Sequence, residues 1–90
     1  MIEFFAKGDI VSFDGRVLEM FTRDTDRWHV VDLERFELEE GKKNRWLLRV
    51  DAGKKGGSFG WEVDGANQAR FHEMKQAMND SRTRYGLPPL

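Results

Sequence analysis

Between Ile10 and Val63 apolar and polar residues alternate in short runs; from Ala66 onward the apolar period lengthens to about 3.6 residues. Alternation with a period of two predicts strands with one face on a core. The sharpest punctuation is Phe13-Asp14-Gly15-Arg16. Asp-Gly between alternating apolar residues predicts a two-residue hairpin loop with positive φ at both loop positions. That loop faces Phe13 with Arg16, Val11 with Leu18 and Asp9 with Met20. Val11, Phe13, Leu18 and Met20 then share a core face, and Ile10, Ser12, Val17, Glu19 and Phe21 a mixed outer face.

Further along, Trp28 to Val31 reads as a short strand, with a bend or bulge near Asp32 to Glu34 before alternation resumes at Phe36. Glu40 to Asn44 is a turn, Arg45 to Val50 a strand, Ala52 to Ser58 a glycine-rich loop, and Phe59 to Val63 a last strand. Met1 to Ala6 fits either a first strand or a short helix; Ile2, Phe4 and Phe5 favour the strand, and the segment is a candidate cover for the mixed face. The helix is expected over about residues 65–85, with Phe71, Met74, Met78, Ser81 and Tyr85 on one face. Asp64 is its expected N-cap. Gly86 is the expected left-handed terminator, followed by a Pro-containing tail at 87–90.

Ninety residues with 39% hydrophobic and 34% charged positions describe one folded domain over 1–90. No apolar run nears the ~20 residues of a membrane span, and the start of the chain lacks a signal-peptide layout, so a cytoplasmic protein is expected. The absence of cysteine excludes disulfides and thiolate chemistry. A net charge of −1 argues against general nucleic-acid binding.

A meander whose last strand runs into one C-terminal helix resembles the pleckstrin-homology-like (PH-like) superfold. Ser12-Phe13-Asp14-Gly15-Arg16-Val17-Leu18 is similar to the Phe-Asp-Gly hairpin near the start of many bacterial PH-like domains. Val30-Val31-Asp32-Leu33-Glu34-Arg35-Phe36 is similar to their apolar pair at a strand bend, and Phe71 sits where their helix carries a Phe that plugs the barrel. The resemblance covers about Gly8 to Met78. It implies an α+β fold, a small antiparallel barrel or bent sheet capped by one helix, in a bacterial binding module. Two departures bear on function. All tryptophans lie in strands, whereas eukaryotic members carry one in the helix. The hairpin loop also lacks the basic cluster of phosphoinositide binders, so strong lipid binding is not expected.

Little else in the chain carries chemistry. Gly53 to Ser58 has neither the spacing of a phosphate loop nor a following helix, so it reads as a flexible hairpin loop. Asp24-Thr25-Asp26 lacks the remaining ligands of a calcium loop and reads as an exposed turn. His29 and His72 have no His or Cys neighbours in sequence, which leaves catalysis through His29 the weakest option. Trp46 and Trp61 alternate cleanly with polar residues and are expected in the core; Trp28 is expected partly exposed. Lys42-Lys43-Asn44-Arg45 and Lys54-Lys55 form basic loops at opposite ends of one strand, so they do not make a single patch.

The expectation is a non-enzymatic module for a protein or peptide partner, needing no cofactor or metal. Its binding place is expected in the groove between a strand edge and the helix. The alternative is weak binding of an anionic lipid headgroup or phosphate ligand by the basic loops. Candidate binding residues are Trp28, Phe21, Lys42, Lys43, Arg45, Lys54 and Lys55.

Overall fold

The structure, a computed structural model, describes residues 1–6, 8–21, 25–43, 45–53 and 57–90, without the side chains of residues 25, 57–59 and 61. The expectations for Asp24, Lys54, Lys55 and the Trp61 side chain therefore lie outside the described residues.

Among the described residues, seven strands and one C-terminal α-helix form an α+β fold. Strands β1 (Ile2–Ala6), β2 (Asp9–Phe13), β3 (Val17–Phe21) and β4 (Thr25–His29) pair antiparallel in that order. Strands β5 (Leu33–Glu40), β6 (Arg45–Ala52) and β7 (Gly57–Asp64) make a second antiparallel sheet. Helix α1 (Gln68–Arg84) follows a 3-10 turn at Gly65–Asn67. β7 comes beside β1, but among the described residues no backbone ladder joins the two sheets.

The first hairpin departs from its expected register. Phe13 pairs with Leu18 and Val11 with Met20, while Asp9 pairs with Ala6 of β1. The Asp14 N–H donates to the Val17 carbonyl at 3.3 Å, which leaves Gly15 and Arg16 at the centre of the turn. Only Gly15 has positive φ (107°) there, as in a type II′ turn. The cause is the Asp14 side chain. Its Oδ1 accepts from the Arg16 and Val17 N–H groups at 2.8 Å each, which keeps Asp14 at the strand end. Expected and observed pairings differ by two positions along β3. Because side chains alternate with a period of two, the core face survives: Val11, Phe13, Leu18 and Met20 are all buried.

β1 does not cover the mixed face. It extends the sheet edgewise, burying Phe4 and Ala6 and leaving Phe5 exposed opposite Ile10. The bend expected at Asp32 to Glu34 begins earlier: Val30 and Val31, expected in a strand, form with Asp32 a 3-10 turn that passes the chain from one sheet to the other, followed by a register shift between Leu33 and Arg35. The Val31 N–H donates to His29 Nδ1 at 3.2 Å and caps this turn.

α1 closes the core. Phe71 stacks on Phe36 of β5 (5.0 Å, 19°) and meets Phe4 of β1 edge-on (6.4 Å), so one ring touches both sheets. Met74 and Met78 are fully buried behind it. Asp64 acts as the expected cap, though for the 3-10 turn: its Oδ1 accepts from the Ala66 N–H at 2.9 Å. At the other end Gly86 (φ 74°) and Leu87 donate to the carbonyls of Thr83 and Arg82, a Schellman ending. Tyr85 is not on the buried face; it is 48% exposed.

Candidate functional site

The expected binding residues are scattered. Trp28 is 9% exposed and belongs to the core cluster, so it is not an open anchor. It sits opposite Leu18 in the ladder, which places its indole on the core face of β4. Phe21 is 43% exposed on the outer face, in register with Ile10, which is in turn opposite exposed Phe5. Lys42 and Lys43 are exposed in the β5–β6 turn. That turn is closed by a Gly41 N–H bond to the Arg45 carbonyl at 2.8 Å. Arg45 Nε lies 3.2 Å from the Glu62 carboxylate, so part of the basic charge of this loop is neutralised. Lys43 and Arg45 line an open hollow of about 540 Å³ together with Phe5, Glu62 and Asp64. β6 carries the chain from this turn to Ala52 at the opposite end of the sheet.

A second concavity lies between β5 and α1. β5 is the edge strand of its sheet, so among the described residues the peptide groups on its outer side have no ladder partner. Beside it runs an open groove of about 380 Å³. Leu38, Trp46 and Phe71 supply its apolar lining, and Glu37, Gln68, His72 and Lys75 its polar rim. The geometry follows from strand periodicity. Phe36 and Leu38 project from the same face of β5, opposite Val50 and Leu48 of β6. Phe36 is buried under Phe71, whereas Leu38 lies one step nearer the β5–β6 turn and is only half-buried. Trp46 is likewise half-buried, packed against the core cluster at its margin rather than within it. On α1, Gln68, Phe71, His72 and Lys75 follow i, i+3, i+4, i+7 spacing and form one face along the groove. His72 rests edge-on against Phe71 at 5.2 Å.

None of these groove residues was among the expected binding residues, although the groove itself was expected between a strand edge and the helix. A signal existed: Trp46 and Leu38 lie at the ends of strands nearest a turn, where a helix crossing the sheet covers least.

Among the described residues no group of three or more His, Asp or Glu side chains could hold a metal ion. His72 lines the groove, whereas His29 packs against Tyr85 near the far end of α1. Among the described residues no helix is long and apolar enough to cross a membrane. Compared with protein-family models and with curated proteins, the chain matches none at a significant level.

Proposed function

We propose that this chain is a PH-like, non-enzymatic binding module that takes an extended peptide from a protein partner along β5 and α1. The observation that carries this is the groove lined by Leu38, Trp46 and Phe71 beside an unpaired strand edge. A strand added to β5 gains main-chain hydrogen bonds, and an apolar side chain reaching Leu38 and Trp46 gives selectivity. Glu37 and Lys75 on opposite walls offer charges of both signs to the flanking peptide residues. The order of strands and helix, and the place of Phe71 between the sheets, agree with the PH-like resemblance; closure of the strands into a barrel is part of the proposal. So is a cytoplasmic, bacterial setting.

The test is selection of peptides from a random library on the intact chain, followed by amide-shift mapping. Selected peptides should move β5 and α1 resonances, and Leu38→Ser should weaken binding sharply in a variant whose amide spectrum shows the parent fold. Peptides that map elsewhere, or bind the variant equally, would falsify the proposal. A second reading has one observation behind it: Phe5, 63% exposed, shares a hollow with Lys43, an apolar and basic pairing that suits an anionic headgroup. Salt-resistant vesicle binding lost in Lys42→Glu/Lys43→Glu would favour it.

A further inference from the structure

Most described arginines are engaged. Arg27 pairs with Glu19, Arg35 with Glu37 and Glu39, Arg45 with Glu62, Arg49 with Glu39 and Arg70 with Glu73. Arg82 is spent on backbone carbonyls. Arg16 and Arg84 differ. Both are exposed, and among the described residues neither guanidinium has a hydrogen bond or an ion pair. Both line one open cleft of about 670 Å³, where the β2–β3 turn meets the last turn of α1.

The cleft is held in shape by groups other than those two guanidiniums, although the Arg16 charge also attracts the Asp14 carboxylate. Ser81 Oγ donates to the Gly15 carbonyl at 2.7 Å, fastening the turn to the helix. Asp14 is the carboxylate that lines the cleft, and its Oδ1 is turned onto the N–H groups of Arg16 and Val17. Those N–H groups, Val17 first, hold its carboxyl below the usual carboxylate range, so it remains an anion bound to its own turn. Two cations against one internally bonded anion leave the cleft positive. Tyr85 adds a half-exposed ring, braced edge-on by His29 at 5.3 Å.

We propose that this cleft receives an oxyanion, a carboxylate or phosphate group, carried by a side chain of a protein partner, with Arg16 and Arg84 as donors and Tyr85 as the flat contact. This rests on the protein-partner reading above but uses a surface separate from the groove. The planar fork of guanidinium matches both oxyanions. Arg and Tyr are also the side chains that concentrate at the centres of protein interfaces. A protein is favoured over a bilayer because Asp14, and Asp80 in the adjoining hollow shared with Arg84, would face an anionic surface.

The experiment is an amide and arginine-Nε NMR titration of the full chain at physiological ionic strength. The probes are capped Gly-Gly-X-Gly-Gly peptides with phosphoserine, glutamate or serine at X, inorganic phosphate, and phosphatidylcholine vesicles with and without phosphatidylserine. The phosphoserine and glutamate peptides should shift Gly15, Arg16, Tyr85 and Gly86 saturably, and the serine peptide should not. Arg16→Gln/Arg84→Gln should weaken this by roughly tenfold or more, because charged hydrogen bonds are lost. The folding bonds of Arg16 are made by its backbone, so the double variant should melt like the parent. The proposal is overturned if the cleft shows no saturable shift, or if the double variant binds equally. It is also overturned if inorganic phosphate binds as tightly as the phosphopeptide, or if only the phosphatidylserine vesicles produce shifts. Such failure, with library-selected peptides still moving His72 and Trp46, removes the cleft and leaves the groove.

Discussion

The two halves of α1 are fastened by different physics. Toward its start Phe71, Met74 and Met78 are buried in the apolar core, where ring and thioether contacts carry the attachment. Toward its end Ser81 and Arg82 are buried, and they attach through hydrogen bonds. Arg82 Nη1 donates to the carbonyls of Val30 and Leu33 at 3.0 and 2.8 Å, and Nε to the Pro88 carbonyl at 2.8 Å. One guanidinium thus ties together the helix, the turn that joins the two sheets, and the tail. The tail is further held by the Leu90 N–H donating to Asn79 Oδ1 at 2.8 Å, so residues 87–90 pack on the helix rather than acting as a linker. Apolar attachment tolerates small shifts, whereas three carbonyls aimed at one guanidinium define a single position. The groove flanks the apolar half and the arginine cleft flanks the polar half, so each proposed ligand site stands beside a differently built support.

The comparison can be broken most forcefully at the apolar half. Phe71→Ala should cost about 3–5 kcal/mol by urea melt, since it removes a buried ring and leaves a cavity between the sheets. A variant as stable as the parent would mean that the core does not depend on the helix. Arg82→Met should cost about 2–3 kcal/mol, because it strands buried carbonyl groups while keeping much of the side-chain volume. If Arg82→Met proved neutral, the polar half would be held by something other than its guanidinium. Ser81→Ala should cost about 1 kcal/mol, the worth of its bond to Gly15. Hydrogen exchange should show that loss confined to the β2–β3 turn and the last helical turn.

The smallest effect is a pH dependence at the same end. The Asp14 carboxyl is lowered by the Val17 and Arg16 N–H bonds, so the folded state binds its proton less readily than the unfolded chain does. Its contribution is therefore fully present above the unfolded value and is lost as pH falls through the folded one. Because Asp14 is exposed, the difference should be slight. Urea midpoints of the parent and of Asp14→Asn should run parallel at neutral pH and converge below about pH 4. Midpoints that stay parallel throughout would remove Asp14 as the anion of the turn.

The apolar half of α1 was legible in the sequence because burial by side-chain contact repeats with the helical period: Phe71, Met74 and Met78 stand out by spacing alone. Gly86 was legible as a terminator for an equally local reason, since a residue without Cβ fits positive φ. The core face of the first hairpin was legible too, and it survived a wrong register because an even slip preserves strand parity. What periodicity cannot report is a polar side chain whose partners lie far along the chain. Arg82 reads as an ordinary solvent-facing residue, yet it reaches Val30 and Leu33 across the fold. Trp28 reads as a strand-end aromatic, and its burial came from the ladder that sets it opposite Leu18.

The sequence by itself determined the order of strands and helix, the core faces of β2 and β3, and the C-terminal end of α1, because these depend on neighbours within a few residues. Only the tertiary structure decided that the strands divide into two sheets at Val30–Asp32, and that the last helical turn docks on the first hairpin. It also decided that Arg16 and Arg84 share a cleft, and that Leu38 and Trp46 are left half-covered beside α1. Each of these depends on where two distant segments meet, and no local pattern encodes that distance.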